Sequence, residues 1–339
     1  MKASVISRYG GPNVLELRDM PDPAPGPGEV RVRVRATGLN FSDVMARQGL
    51  YPDAPKPPMV VGYEVAGEID AVGSGVTQSR SGARVIALTR FGGQAQLVSV
   101  PESQALPMPD GMSFEEGAAL PVVYVTAYHM LFHVGCLRPG DSVLVHMAAG
   151  GVGTAVLQLC RTVPGVTVFG TASPSKHAYL RELGCQHPID YRSTDYAAEV
   201  RRITNGRGVD MVLDPLGGAD WKKGYDLLKP AGRLIAYGFA NMASGSTRNI
   251  VHVARQFFSM PRFSPMKLMD QNKTVAGVNL GHLWSETELL RKEMTALLEL
   301  YRAGKIKPHI DVALPLDRMA EAHGRLESRQ NVGKVVLLP

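Results

Sequence analysis

Cysteine is scarce in this chain: Cys136, Cys160 and Cys185 are all it has, an odd number with no close pair. Neither a disulfide framework nor a four-thiolate zinc site can be assembled from them, and a reducing, cytoplasmic setting is expected. Long apolar runs are lacking too. The start, MKASVISRYGG, has no apolar signal core, and no stretch approaches the ~20 apolar residues of a membrane-spanning helix, so a soluble protein is expected. Nor is there a block of one charge. The net charge is +6 and the pI about 9.2, but Lys and Arg are interspersed with Asp and Glu. That pattern argues against a nucleic-acid partner and for a general attraction to anions.

What is present is 339 residues, 45% of them hydrophobic, more chain than one core usually fills. Up to about residue 120 the pattern is strands and turns. Residues 30–35 alternate valine with arginine, the period of a half-buried strand, and residues 65–72 read as another strand bracketed by glycines. Between the start and the first of these, PDPAPGPGE (residues 21–29) leaves little room for regular structure. From about residue 123 strands alternate with helices, which predicts a parallel sheet covered on both faces. Its strands are expected at 142–147, 166–171, 209–213, 233–238 and 274–279, with Ala155, Val156, Leu159, Cys160 and Val163 forming the apolar face of a helix after the first. A helix over 286–302 precedes two strand-like pieces ending at 334–338, and these are expected to rejoin the N-terminal β region.

The first strand of the alternating region runs into Ala148-Ala149-Gly150-Gly151-Val152-Gly153 and then into the helix. Backbone N–H groups at such a helix start, with the helix dipole behind them, suit a pyrophosphate. A glycine cluster alone is weak; its place within a strand–helix–strand unit makes it a dinucleotide cradle. A tight turn packed against another domain is the competing reading. At the end of the second strand an NAD site would place Asp or Glu on the ribose 2′-hydroxyl, but here the chain reads GTASPSK, with no carboxylate. Ser173 and Lys176 offer a hydroxyl and a cation to a 2′-phosphate, which favours NADPH. By themselves they could equally be a helix cap and a solvated lysine; the missing acid decides.

These residues resemble the zinc-free quinone oxidoreductase (zeta-crystallin) branch of the medium-chain dehydrogenase/reductase superfamily, and within it the vesicle amine transport protein homologues. The likeness runs through GLNFSDVMARQGLY, VLVHMAAGGVG, VTVFGTASPSKH, HPIDY, DPLGG, GYDLLKP, IKPHID and NVGKVVLLP. It implies an α/β protein: a GroES-like β-rich catalytic domain from residues 1–122 and 282–339, and a Rossmann doubly wound parallel sheet over 123–281 that binds NADPH. It further implies that the 2′-phosphate meets Ser173, Lys176, Tyr191 and Arg329, with Asn331 beside them. The nicotinamide would lie near Asn40, the turn at Gly217 and Gly218, and the strand end from Gly238 through Phe239 to Asn241.

Zinc-dependent relatives carry a Cys near the position of Asn40 and a His within Gly-His-Glu; this chain has Asn40 and Gly62-Tyr63-Glu64. The nine histidines read as dispersed, and no metal is expected. Without that Lewis acid, hydride delivery to a quinone or an α,β-unsaturated carbonyl remains feasible, with Asn40 or Tyr51 as hydrogen-bonding groups and Asp43 orienting Asn40 or its loop. The alternative is a lipid- or membrane-binding protein on a reductase scaffold. Residues 249–273, apolar, Met-rich and mostly basic, are the segment that would touch lipid, unless they form a core or dimer-interface helix with a loop at the cleft. A homodimer through 274–279 is expected from the resemblance.

Overall fold

In the computed structural model, which describes residues 1–243 and 245–339, the Val/Arg alternation folds as the strand Glu29–Gly38 with Val30, Val32 and Val34 buried. Side chains alternate across a strand, so the arginines stand on the other face, where Arg31 and Arg33 share Asp70 of the neighbouring strand Glu64–Val72. This long strand is the hub of a seven-stranded sheet. It pairs antiparallel with Glu64–Val72 and Leu97–Pro101, and its far end pairs with Lys334–Leu338, which in turn lies parallel to Ile310–Pro315. The chain's last strands therefore rejoin the N-terminal sheet, as expected.

The alternating region forms a six-stranded sheet in the order His187–Asp190, Thr167–Ala172, Ser142–Val145, Val209–Asp214, Leu228–Ala236, Thr274–Gly277, every pair parallel. This is the doubly wound order, with its switch point between Ser142–Val145 and Val209–Asp214, where a crevice opens at the carboxyl ends. The expected strands are present with shifted ends. Met147 has left the first strand with φ 54°, and residues 278–279 lie beyond the last. Leu228–Ala236 starts earlier than expected and carries Ala231 at φ 67° inside it. His187–Asp190 was not anticipated: four residues with a proline, on the outermost position, give no readable period. The helix Gly151–Cys160 buries Ala155, Val156, Leu159 and Cys160; Val163 falls in the following turn but packs on the same core.

One apolar core joins the two sheets. It runs from Ala36, Ala66 and Ile86 through Val123 and Val125 of the helix Pro121–Tyr128 to Val143, Val145 and Ile235, and takes in Leu290, Met294 and Leu297 of the helix Thr287–Arg302. The segment at 249–273 forms the helices Ile250–Phe258 and Pro265–Gln271, neither with a buried residue, which sets aside the core-helix reading. Among the described residues, no helix is long and apolar enough to cross a membrane.

Candidate active site

A cleft of about 1340 Å³ lies along the switch point, walled by residues of both sheets. Ala149, Gly150, Gly151, Val152 and Gly153 line it at the start of Gly151–Cys160. The closeness of the turn is why glycine is needed there: a Cβ on Gly153 would collide with the Ala148 backbone, while Gly150 is extended and leads directly into the helix. Glycine at 153 lets the helix start packed against the strand end, with Gly150 to Gly153 bare of side chains but for Val152 along the cleft, a lining that fits a dinucleotide phosphate.

At the second-strand end, Ser173, Lys176, Tyr191, Arg329 and Asn331 all line the same cleft. Arg329 arrives in the left-handed region, φ 55°, at the end of the helix Met319–Glu327. Lys176 is half-buried, and its ammonium donates to the carbonyls of Arg329 (2.8 Å) and Asn331 (2.6 Å), which leaves one N–H for a ligand. Burial holds its pKa below the usual lysine range, with Asp311 opposing. Arg192, missed in the sequence, also lines this end, its guanidinium 5.9 Å from the Tyr191 ring centroid. The carboxylate of Asp195 is turned aside: it caps the helix Tyr196–Ile203 through the Ala197 N–H and pairs with Lys223 at 2.7 Å.

The other end of the cleft holds a buried polar cluster. Asn40 Oδ1 accepts from Lys334 Nζ at 2.5 Å, and Asn40 Nδ2 donates to Glu64 Oε1 at 2.9 Å. Lys334 and Glu64 are themselves paired at 2.5 Å, and Glu64 Oε2 accepts from the Val122 N–H at 2.7 Å. Asn40 is thus pinned at both ends of its amide, while Lys334, lining the cleft, keeps one N–H. Sequence reading named Asn40 but passed over Lys334 and the function of Glu64. They are 270 residues apart and meet only because Lys334–Leu338 returns beside Glu29–Gly38.

Asp43 does not line the cleft. It is fully buried beneath Asn40, accepting from the Asn40 N–H (2.7 Å) and the Gly62 N–H (3.0 Å), so it holds the loop and cannot reach a substrate. Burial pushes its pKa up to about 7 against the lowering by those hydrogen bonds. Tyr51 does line the cleft, edge-on to Tyr63 at 6.1 Å. Burial first, then the carboxylates of Asp53 and Asp43, pushes its hydroxyl up to about 12.

Gly238, Phe239 and Asn241 line the cleft where Leu228–Ala236 ends. Gly217 stands behind them: its N–H donates to Asp214 at 3.2 Å, and with φ 79° a side chain there would press on Phe239. Asn241 is turned by Asp220, whose second oxygen accepts from the Tyr196 hydroxyl, each at 2.9 Å. His146 packs edge-on against Tyr196 at 4.6 Å, and burial lowers its pKa to about 4, so it is a neutral wall residue.

Two family models match the chain. Residues 26–110 match the alcohol dehydrogenase GroES-like domain family model, and residues 183–337 the zinc-binding dehydrogenase model. The chain is 51% identical over 337 residues to the synaptic vesicle membrane protein VAT-1 homolog of Danio rerio, covering 99% of this chain and 69% of the relative. It is 36% identical over 335 residues to the quinone oxidoreductase of Pseudomonas aeruginosa, covering 98% and 97%. The crystal structure of Escherichia coli quinone oxidoreductase complexed with NADPH superposes with a TM-score of 0.87 at 28% identity over 100% of both chains.

Proposed function

Since the chain belongs to the medium-chain dehydrogenase/reductase family of oxidoreductases, we propose that it is a zinc-independent, NADPH-dependent reductase of quinones or α,β-unsaturated carbonyls. One observation carries the reading: a single cleft has hydroxyl and cationic side chains at its adenosine end, and a buried lysine where a zinc-dependent relative would hold metal. At that place Asn40 and Tyr63 offer no thiolate or imidazole.

NADPH, when bound, supplies the hydride. The protein binds it, orients it and receives the charge that develops on the acceptor. Ser173, Lys176, Arg192 and Arg329 hold the 2′-phosphate, with Tyr191 and Asn331 closing that end. Gly151 to Gly153 cradle the pyrophosphate, and Asn241, braced by Asp220, fixes the nicotinamide side together with Gly238 and Phe239. Lys334 places a fixed positive charge beside the acceptor oxygen, and Asn40 and Glu64 act as positioning residues that hold its ammonium. Tyr51, protonated throughout the neutral range, donates a hydrogen bond to the same oxygen. So high a pKa leaves solvent as the final proton source. Asp43 serves the loop, not the reaction.

The test is NADPH oxidation against a panel of quinones, 2-enals and cyclic enones, run in parallel with NADH and after metal chelation. Turnover that prefers NADPH and survives chelation is expected. A preference for NADH, or activity lost on chelation and restored by zinc, would sink the reading.

A second reading is favoured by a specific observation: Ile250, Val251, Phe257, Phe258, Met266 and Met269 are all exposed on the two helices of 249–273. Among basic residues, such a surface suits peripheral contact with a membrane from the cytoplasmic side. The strand Thr274–Gly277 ends the six-stranded sheet, and pairing with its copy would give a homodimer.

A further inference from the structure

The histidines are not all dispersed. The helix Pro121–Tyr128 runs on into a widened, π-helical turn over His129–Val134, a rare geometry that concentrates at functional positions. That turn stacks His129 on His133, ring centroids 4.8 Å apart and planes 17° from parallel. Glu293 comes in from the helix Thr287–Arg302, placing Oε1 2.9 Å from His129 Nδ1. One donor atom from each of the three residues lies within 4.8 Å of the others. His129 and Glu293 are buried and His133 is exposed.

An ion pair between His129 and Glu293 does not account for this group. Among the described residues Glu293 Oε2 is buried without a hydrogen-bond partner, so half of a fully desolvated carboxylate stays uncompensated. The second imidazole, stacked on the first, would add only repulsion if both were protonated. A cation among the three donors resolves both difficulties at once.

We propose that His129, His133 and Glu293 bind a divalent transition-metal ion, zinc or one of similar borderline softness such as cobalt or nickel, with water completing the shell. Two imidazoles and one carboxylate are a ligand set for these ions, whereas magnesium and calcium want oxygen throughout. Ligands at ~2.0–2.2 Å from a tetrahedral ion stand roughly 3.3–3.5 Å apart. The loaded site therefore needs a small contraction, which the exposed His133 can supply. None of its three residues belongs to the Asn40, Glu64 and Lys334 cluster proposed to act on substrate. It ties Thr287–Arg302 to the helix whose residues Val122, Val123 and Thr126 wall the cleft, and His129 itself reaches that wall.

The test is equilibrium dialysis of the chelator-stripped full chain against zinc chloride and cobalt chloride, with visible absorption of the cobalt form. One equivalent is expected to bind, and a cobalt band typical of low coordination number to appear. His133→Ala, at an exposed position that the fold does not depend on, and Glu293→Gln should each raise the Kd roughly tenfold or more and abolish the band. His282→Ala, which removes an imidazole paired with Asp53 elsewhere, should change neither. No stoichiometric binding, binding indifferent to both ligand variants, or binding lost in His282→Ala would each overturn the proposal. Because the readout is metal occupancy, it stands or falls separately from NADPH turnover.

Discussion

Lys334 Nζ is held between Asn40 and Glu64 with its side chain 4% exposed, and Glu64 is fully buried. A buried pair is costly to break from one side, because the remaining charge has no partner. Lys334→Met is therefore expected to destabilise the fold by about 3–5 kcal/mol, and Lys334→Met with Glu64→Gln by clearly less than the sum of the single changes. Urea unfolding of the four proteins measures this; additive losses would show that the pair is not coupled. Lys176 makes a finer case, since its cation both faces the cleft and ties down the carbonyls at 329 and 331. Lys176→Ala should weaken NADPH by about 1–3 kcal/mol, the worth of a charge-assisted bond, and NADH much less. Equal losses for both cofactors, read by fluorescence titration, would confine Lys176 to a loop anchor. His323 concerns stability alone: among the described residues both ring nitrogens are buried without partners, and burial, then the charge of Arg47, lowers its pKa from 6.5 to about 3. A base depressed on folding supports the fold above its unfolded value and loses that support as pH falls towards its folded one. His323→Leu should thus gain stability over the wild type progressively from pH ~7 down to ~4, and a constant offset across that range would refute the assignment. Of these residues Lys176 was legible beforehand from a local motif, and Asn40 from the resemblance. Lys334 and Glu64 are connected by tertiary return, and no spacing announces a contact across 270 positions.

At the scale of elements, the sequence announced whatever has a period or a punctuated turn. Alternation located Glu29–Gly38, and the glycine run located the start of Gly151–Cys160. Periodicity failed for His187–Asp190, which is too short and carries Pro188, and it could not say which way the helices of 249–273 face. The helix Ile250–Phe258 is amphipathic, yet large apolar residues of both helices point outwards, with Val251 80% and Phe258 84% exposed. Leu268 of the second helix and Phe263 just before it pack inwards, against the core around Tyr225. An apolar face of this size left in water on a monomer is a mark of association. Replacing Val251 and Phe258 together by Asp should leave unfolding stability within about 0.5 kcal/mol, as for other exposed positions, yet abolish flotation with anionic vesicles. If the variant floats as well as the wild type, the membrane reading fails. If it instead dissociates a dimer, the face is a subunit interface.

At the scale of the molecule, the glycine turn proposed to cradle the cofactor is closed by the end of the chain. Gly333 donates its N–H to the Ala149 carbonyl at 2.8 Å, bridging the glycine turn to the strand that returns to the N-terminal sheet. Lys176 bonds to the same return segment at 329 and 331. The two sheets therefore meet around the cleft proposed to take the dinucleotide, and residues brought in by different sheets line its two ends. A ligand so placed binds the folded arrangement and has nothing to bind in the unfolded chain, so occupancy must appear as stability. At a concentration 100 times its Kd, NADPH should add about 2.7 kcal/mol to unfolding. NADH at that same concentration should add less, because it lacks the group that Ser173, Lys176, Arg192 and Arg329 are placed to hold. Matched thermal shifts for the two cofactors would mean that the cationic end of the cleft does not read the 2′-phosphate, and the proposed preference would fall with it.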